Sequence, residues 1–488
     1  MRCILIGLAV SLSVAGCMVG PDYQRPRVDA PAAFRYEIPN AEDTADTVWW
    51  RQFGDPVLDG LIAEALAANK NVKIAAANIE QAAGVVTQTR APLFPQASYG
   101  ADAARERLSK REASPLPSGI PNPQTTYQIF SGASWEIDLW GRIRRLTESA
   151  QANLLASEEA RRGVVLTLVA SVAGNYLQLR GLDEQLAISK RTLNAYAQSL
   201  NLFELQYKYG QVSLITVAQA RSQYETAAAQ IPQVERQIGL TENAIAVLLG
   251  RNPGPIPRGR SIYELALPAV PNAIPSQVLA QRPDILQAEQ NLVAANAQIG
   301  AARALYFPSI SLTGSLGASS EDLHNLFTGG ARVWTYGGSV TGPIFTAGAI
   351  SGQVEQAEAL QQATLQSYEL AIQNAFRDVD DALMSREKLS DQLAAQERLV
   401  AACREYERLA MLLYNGGYVP YSTVLQAQQQ LFPAELNLAQ TRAFVFESLV
   451  AIYRAMGGGW VDTAEEMTAQ TSKGSPHDSR KGWRPRAE

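Results

Sequence analysis

Tyr207 to Ala220 reads YKYGQVSLITVAQA, and Tyr414 to Ala427 reads YNGGYVPYSTVLQA. The two stretches share Tyr207/Tyr414, Val212/Val419, Thr216/Thr423, Val217/Val424, Gln219/Gln426 and Ala220/Ala427. In each, glycine (Gly210; Gly416-Gly417) separates a long proline-free run from a second helical run. Glycine is the usual residue for ending a helix in a left-handed turn. Each stretch therefore reads as a turn between two helices, and the chain contains it twice.

Working outward, Leu93-Phe94-Pro95 reappears as Tyr306-Phe307-Pro308, and Trp135 to Gly141 has a looser counterpart in Val340 to Thr346. A period of about two hundred residues marks a duplicated domain rather than a solenoid of short repeats. Before each tip runs a stretch without proline, Arg142 to Lys208 and Ala349 to Asn415. At 1.5 Å per residue each predicts about 100 Å of helix. Heptads persist through both. Leu186, Leu193, Leu200 and Tyr207 interleave with Ser189, Tyr196 and Phe203; Leu393, Val400, Glu407 and Tyr414 interleave with Gln396, Cys403 and Ala410. A sustained seven-residue stripe demands coiled-coil partners. After each tip a return helix is expected, Leu214 to Leu249 and Thr423 to Met456.

Ahead of each long helix the period changes from seven to two. Tyr127, Ile129, Ala133, Trp135, Ile137 and Leu139 alternate with Gln128, Ser134, Glu136 and Asp138. Ile310, Leu312 and Leu316 alternate with serines and Thr313; Trp334, Tyr336, Val340 and Ile344 alternate with Thr335, Ser339 and Thr341. Strands with one greasy and one polar face are implied. Phe94 to Arg105 alternates less cleanly. Ala-rich helices of some 35 residues are expected over Val57 to Ala91 and Ser276 to Leu305. The expected layout is a signal peptide (1–16), an N-terminal extended segment (17–56), a first repeat (57–250), a linker (251–275), a second repeat (276–456) and a disordered tail (457–488).

The 488 residues carry a formal charge of −5, with 2 His and 3 Cys. That balance argues against a nucleic-acid partner. His324 and His477 belong to no ligand or triad pattern, and Cys403 falls on a heptad core position as an inert thiol. No catalytic residue, metal site or cofactor is expected, and the chain reads as no enzyme. Asp378, Asp380 and Asp381 form an acidic run, read as a solvated helix face rather than a lumen ring.

Arg2 and the apolar Ile4 to Ala15 form a signal segment too short to span a bilayer. It ends in Val14-Ala15-Gly16-Cys17, which resembles the lipobox of bacterial lipoproteins and makes Cys17 the lipid attachment site. The alternative is an ordinary signal peptide cut near Gly16. Met18, where an Asp would resemble an inner-membrane retention signal, favours the outer membrane.

Four amphipathic strands cannot close a membrane barrel, which needs about eight or more, and an open sheet leaves backbone groups unsatisfied in lipid. Three copies supply twelve strands. A soluble coiled-coil scaffold carrying a small sheet is the competing architecture.

The order helix, hairpin, long helix, twice over, resembles the outer membrane factors of the TolC type. Arg282-Pro283-Asp284-Ile285, Ala288-Glu289, Leu292, Ala294-Ala295, Ala297, Ile299-Gly300, Ala302 and Phe307-Pro308 carry the most specific match. Gly20-Pro21-Asp22-Tyr23 is similar to the lipidated efflux branch of OprM and NodT types. The resemblance implies a mainly α fold with a β-barrel contribution: a homotrimer with a twelve-stranded barrel and an α-helical periplasmic tunnel. It also implies a periplasmic adaptor and an inner-membrane pump as partners, in an outer membrane whose lipid holds the anchor. The function implied is a passive exit channel for drugs or other small solutes; a type I protein secretion duct and a non-channel lipoprotein scaffold are the alternatives. In that family the helix after each glycine turn lines a closed aperture, often with a ring of Asp. Here Thr216, Thr423 and Gln426 stand at those positions. A neutral gate is expected, held by packing and hydrogen bonds through Leu214, Thr216, Tyr421, Thr423 and Gln426. For Arg282, Pro283 and Asp284 a structural helix-start role is expected.

Overall fold

The computed structural model describes residues 18–28, 31, 33–36, 48–109, 121–268, 270, 275–457 and 460–461. Its helices are α1 (Pro56–Ala68), α2 (Lys70–Arg90), α3 (Arg142–Lys208), α4 (Leu214–Leu248), α5 (Pro275–Gln281), α6 (Pro283–Ala304), α7 (Ala349–Asn415) and α8 (Tyr421–Ala455). Its strands are β1 (Gln96–Glu106), β2 (Gln124–Ile137), β3 (Ser309–Ser320) and β4 (Arg332–Thr341). The two long helices each hold 67 residues, with the bounds that the proline-free runs predict. No described helix is long and apolar enough to cross a membrane.

Both Ala-rich helices are broken where one was expected. Asn69 interrupts the first: its side-chain oxygen accepts from the N–H groups of Asn71 and Val72 at 2.8 and 3.2 Å, capping a new helix start. Its amide nitrogen donates to the Leu248 carbonyl at 2.7 Å. In the second repeat Arg282 separates α5 from α6, and Pro283 takes the first position of the new helix. Residue-level alternation also overran two strands: β2 ends at Ile137, short of Leu139. β4 ends at Thr341, and Ile344 lies beyond it, fully exposed.

The chain divides into two compact units. One comprises 1–27, 78–158 and 287–369 and contains the sheet. The strands run in the order β1-β2-β3-β4, every neighbour antiparallel. In this unit the N-terminal arm is tied to helix ends. Val19 N–H donates to the Trp140 carbonyl at 3.1 Å. Arg145, its side chain 2% exposed, donates to the Val19 and Gly20 carbonyls and pairs with Asp22 at 2.7 Å and Glu148 at 2.8 Å. Tyr23 and Arg25 both donate to Glu289, at 3.2 and 2.8 Å. The Gly20-Pro21-Asp22-Tyr23 stretch is thus a strap. Gly300 makes room for it, because a Cβ there would sit 2.6 Å from the Val19 carbonyl oxygen.

The other unit comprises 28–77, 159–286 and 370–488. Its main core gathers Trp49, Trp50 and Phe53 with apolar residues of α1, α3, α4 and α8. Trp49 stacks on Tyr453 at 5.0 Å, and Trp460 meets Trp50 edge-on at 5.3 Å. Two expected boundaries shift as a result. Trp460 and Val461, assigned in advance to a disordered tail, are buried in this core, because aromatic surface offers the greatest gain on leaving water. Apart from Gly457, the rest of that tail lies outside the described residues, as do Cys17 and His477. The Pro/Gly-rich linker buries Ile256, Ile262 and Leu265. Its Gly259 N–H donates to the Tyr176 hydroxyl, which in turn donates to buried Asp55 at 2.7 Å.

Of the heptad stripes, Ser189, Tyr196 and Phe203 on α3 and Val400, Cys403 and Ala410 on α7 are buried within the chain. The other frame of α3, Leu193 and Leu200, is half-buried and Tyr207 is exposed. The return helices α4 and α8 each enclose a proline, Pro232 and Pro433.

Candidate functional site

The strand registers sort the sheet into two faces. Tyr99 opposes Ser131, Ile129 opposes Ala318, Trp135 opposes Leu312, and Leu316 opposes Trp334. Side chains alternate across a strand. One face therefore collects Tyr99, Ile129, Trp135, Ile310, Leu312, Leu316, Trp334, Tyr336 and Val340. The other collects Ser98, Asp102, Gln128, Ser134, Ser311, Thr313, Thr335 and Ser339, with Phe130 and Val333 as its bulky apolar members. The apolar face is exposed: Tyr99 is 91%, Trp334 68%, Tyr336 79% and Val340 70% accessible. Among the described residues, the outer strands β1 and β4 each lack a second neighbour within the chain. Aromatic residues gather where the sheet meets the helices. Trp135 donates to the Leu93 carbonyl at 2.9 Å, Trp140 donates to the Pro308 carbonyl at 2.8 Å, and Trp140 stacks on Phe307.

The expected tip residues fall in the helical unit, and the two tips share one backbone solution. After α3, Gly210 N–H bonds the Tyr207 carbonyl and Gln211 N–H bonds the Gln206 carbonyl. After α7, Gly417 N–H bonds the Tyr414 carbonyl and Tyr418 N–H bonds the Leu413 carbonyl. This paired pattern is the Schellman motif, with Gly210 and Gly417 at φ +72° and +76°. Gly416 has no such backbone need; its surroundings are filled by the Tyr418 ring.

The five gate candidates separate by environment. Leu214 (60% accessible) and Gln426 are exposed, and Thr216 and Thr423 are half-buried. Thr216 shares a 3.4 Å contact with Ser213. Tyr421 is buried, 4.1 Å ring to ring from Phe203 and 5.3 Å from Tyr414. Burial pushes its hydroxyl pKa up. Tyr421 is thus the packing centre of its tip, joined by Val217, Val424 and Leu425.

Sequence reasoning missed the ionic latch above this cluster. Glu435 of α8, with a side chain 10% exposed, pairs with Arg404 of α7 at 2.7 Å and Arg191 of α3 at 3.4 Å. The signal was present: Glu435 interrupts an otherwise apolar stripe, Leu431, Ala434 and Leu438.

Arg282 holds the opposite end of the same helices' contact set. Its guanidinium, 9% exposed, pairs with Asp284 at 2.6 Å and Asp378 at 3.2 Å. It also donates to the Ala455 carbonyl at 2.9 Å and the Ala375 carbonyl at 3.4 Å. Asp284 in turn accepts the Ile285 N–H. The motif therefore joins the start of α6 to α7 and to the end of α8. Of the acidic run, Asp378 is a partner of Arg282 and Arg377, and Asp380 accepts the Arg35 backbone N–H. Burial alone would raise the Asp378 carboxyl, but hydrogen bonds from Arg377 and Arg282 outweigh it and hold it below the usual range.

The family model described as outer membrane efflux protein matches residues 61–251 and 274–458. The chain belongs to that family, and its fold is that of the TolC-type outer-membrane channels. The toluene efflux pump outer membrane protein TtgF of Pseudomonas putida is 36% identical over 483 residues, covering 96% of this chain and all of that protein. The cation efflux system protein CusC of Escherichia coli K12 is 35% identical, covering 94% and 99%. Among solved structures, the open-state MtrE outer membrane channel of Neisseria gonorrhoeae superposes with a TM-score of 0.82 at 33% identity, over 91% of this chain and 99% of MtrE. The protein is an outer-membrane efflux channel that extends into the periplasm.

The Arg282 node yields a pH-dependent prediction. A depressed carboxyl contributes stability above its unfolded value near 3.8, and that contribution is lost as pH falls through the folded value. Thermal melts should show Asp378→Asn about 1 kcal/mol less stable than wild type at pH 7, the pair being partly exposed. The gap should close below about pH 4. Arg282→Met, which strips two buried carbonyls of their donor, should cost about 2–4 kcal/mol at either pH. Equal melting of wild type and Asp378→Asn at pH 7 would contradict this.

Proposed function

We propose that three copies of this chain close one barrel and work as the passive exit duct of a tripartite efflux system. A periplasmic adaptor and an inner-membrane pump would deliver the cargo. The sheet carries this reading: it has an exposed greasy face suited to lipid, a polar face suited to a water-filled lumen, and two unpaired edges. Lipid tolerates no open edge, so β1 of one copy must pair with β4 of the next. Twelve strands leave room for a lumen, which eight largely fill with side chains. The chain's conduction needs no catalytic residue. Two relatives are named for toluene and for cation efflux, so small solutes are the cargo class this reading favours over secreted protein.

Cys17 is proposed as the lipid attachment site. Val19, two residues on, is hydrogen-bonded to Trp140 where β2 meets α3. An acyl chain starting there would be held at the membrane-facing end of the sheet. The aperture is proposed to lie at the two Schellman tips, with neutral Thr216, Thr423 and Gln426 around the packed Tyr421 cluster.

Two experiments test these assignments. Purified protein added to planar bilayers should give uniform single-channel steps, with little block by millimolar Co³⁺ hexammine from the periplasmic side. Absence of any conductance would overturn the duct, and strong block would overturn the neutral gate. Globomycin, which stops lipoprotein signal cleavage, should accumulate a precursor that labels with palmitate analogues less than the mature form; an unaffected mature band would exclude Cys17 lipidation.

A further inference from the structure

The helical unit contains a polar chamber that neither the tips nor the Arg282 node uses. It lies between α3, α4 and α8 and measures about 510 Å³, within the size range of small-molecule sites. Carboxamides from all three helices line it: Gln178 and Gln185, Gln233 and Gln237, Asn437 and Gln440. Leu240, Leu436 and Phe444 add apolar wall. The helices are in firm contact beside it, since a Cβ on Gly181 would lie 2.7 Å from that of Ala443.

Glu447 is the one ionisable residue on this wall. Its Oε1 is buried without a hydrogen-bond partner, and burial alone pushes its carboxyl up to about 7. Two arginines on the same helices, Arg180 of α3 and Arg442 of α8, have partners elsewhere. Arg180 pairs with Asp183 and donates to the Arg260 carbonyl; Arg442 lies over the Tyr263 ring and pairs with Glu397. A glutamine would fill the same space at no charge cost, as it does around the rest of the wall. A half-buried carboxylate with one oxygen buried and unpartnered is unfavourable for folding, so its use lies in what it can pair with.

We infer that this chamber binds a small organic cation, an amine on an apolar body, with its ammonium against Glu447. The carboxamide oxygens accept the remaining N–H groups, and Leu240, Leu436 and Phe444 meet the apolar part. A metal ion fits the chamber poorly. Hard cations gather several carboxylates or carbonyls at about 2.0–2.6 Å, whereas here a single carboxylate faces a wide space. Among the described residues no three His, Cys, Asp or Glu side chains converge. The inference rests on the efflux-duct reading and narrows it: cationic amphiphiles are a cargo class for which this wall offers a resting site.

The test uses the full-length protein in lipid nanodiscs, titrated calorimetrically with 1-naphthylmethylammonium and with neutral 1-naphthylmethanol of the same shape. Wild type should bind the ammonium more tightly than the alcohol. Glu447→Gln should lose roughly tenfold or more of the ammonium affinity, the size of a lost buried charged hydrogen bond, and leave the alcohol unchanged. Glu447→Asp should keep the ammonium preference. Equal binding of the two compounds, or unchanged ammonium binding in Glu447→Gln, would overturn the inference, as would Mn²⁺ binding that depends on Glu447 without any ammonium preference. Bilayer conductance is measured on the same samples. A wild type that conducts but shows no preference sinks only this inference, whereas one that never conducts removes the duct reading beneath it.

Discussion

Among the described residues, the antiparallel sheet of four strands leaves two rows of unpaired backbone groups, one on β1 and one on β4. In water such edges can bond to solvent; in a bilayer each open group costs several kcal/mol (about 1–3 even where partial compensation exists). The exposed apolar face makes water the wrong environment for this sheet. The same strands therefore demand lipid on one face and partners on both edges. Closure by identical copies satisfies both demands, and the polar opposite face then encloses solvent. Oligomer, membrane location and conduit all descend from that one constraint.

The helices are specified by different means, and their ends matter more than their middles. Both long helices stop at the same left-handed glycine, 207 residues apart in sequence, with the same pair of hydrogen bonds. Packing then differs between the two tips' surroundings: Tyr421 joins Phe203 and Tyr414 in an aromatic cluster, while Leu214 at the equivalent turn remains exposed. Charges enter the interior only where several partners meet them. Arg282, Arg145 and Glu435 each gather groups from separate segments, which offsets the cost of removing a charge from water. Half-buried Glu447 departs from this pattern, with one carboxylate oxygen buried and unpartnered, as does Arg386, whose Nε is buried without a partner.

Much of this was legible in the sequence because it depends on local periodicity. The proline-free runs bounded the long helices, the seven-residue stripes marked their packed faces, and the two-residue alternation in β2, β3 and β4 named the greasy face. What stayed hidden depends on long-range geometry. Asn69 and Arg282 break the Ala-rich helices through side-chain caps and remote carbonyls that no propensity reveals. Trp460 lies among Ser, Gly and charged residues that read as a tail, yet it is drawn into the core by Trp49 and Trp50. The gate candidates were found by matching the repeat to itself and to a known family, which locates a turn but not a side chain's surroundings. Tyr421 is consequently a packing residue, whereas Leu214 and Gln426 face outward. The polar chamber was not legible at all, since its lining residues come from three helices and lie up to some 270 residues apart (Gln178 to Glu447).

Disulfide trapping across the barrel seam tests closure most directly. Single cysteines would be placed along β1 and along β4 of the same chain, in a Cys403→Ala background, and oxidised in membranes. A closed three-copy barrel predicts that a subset of pairs, spaced two residues apart along each strand, gives covalent species that end at three chains. A ladder that ends at two chains, or one that continues past three, would contradict the account.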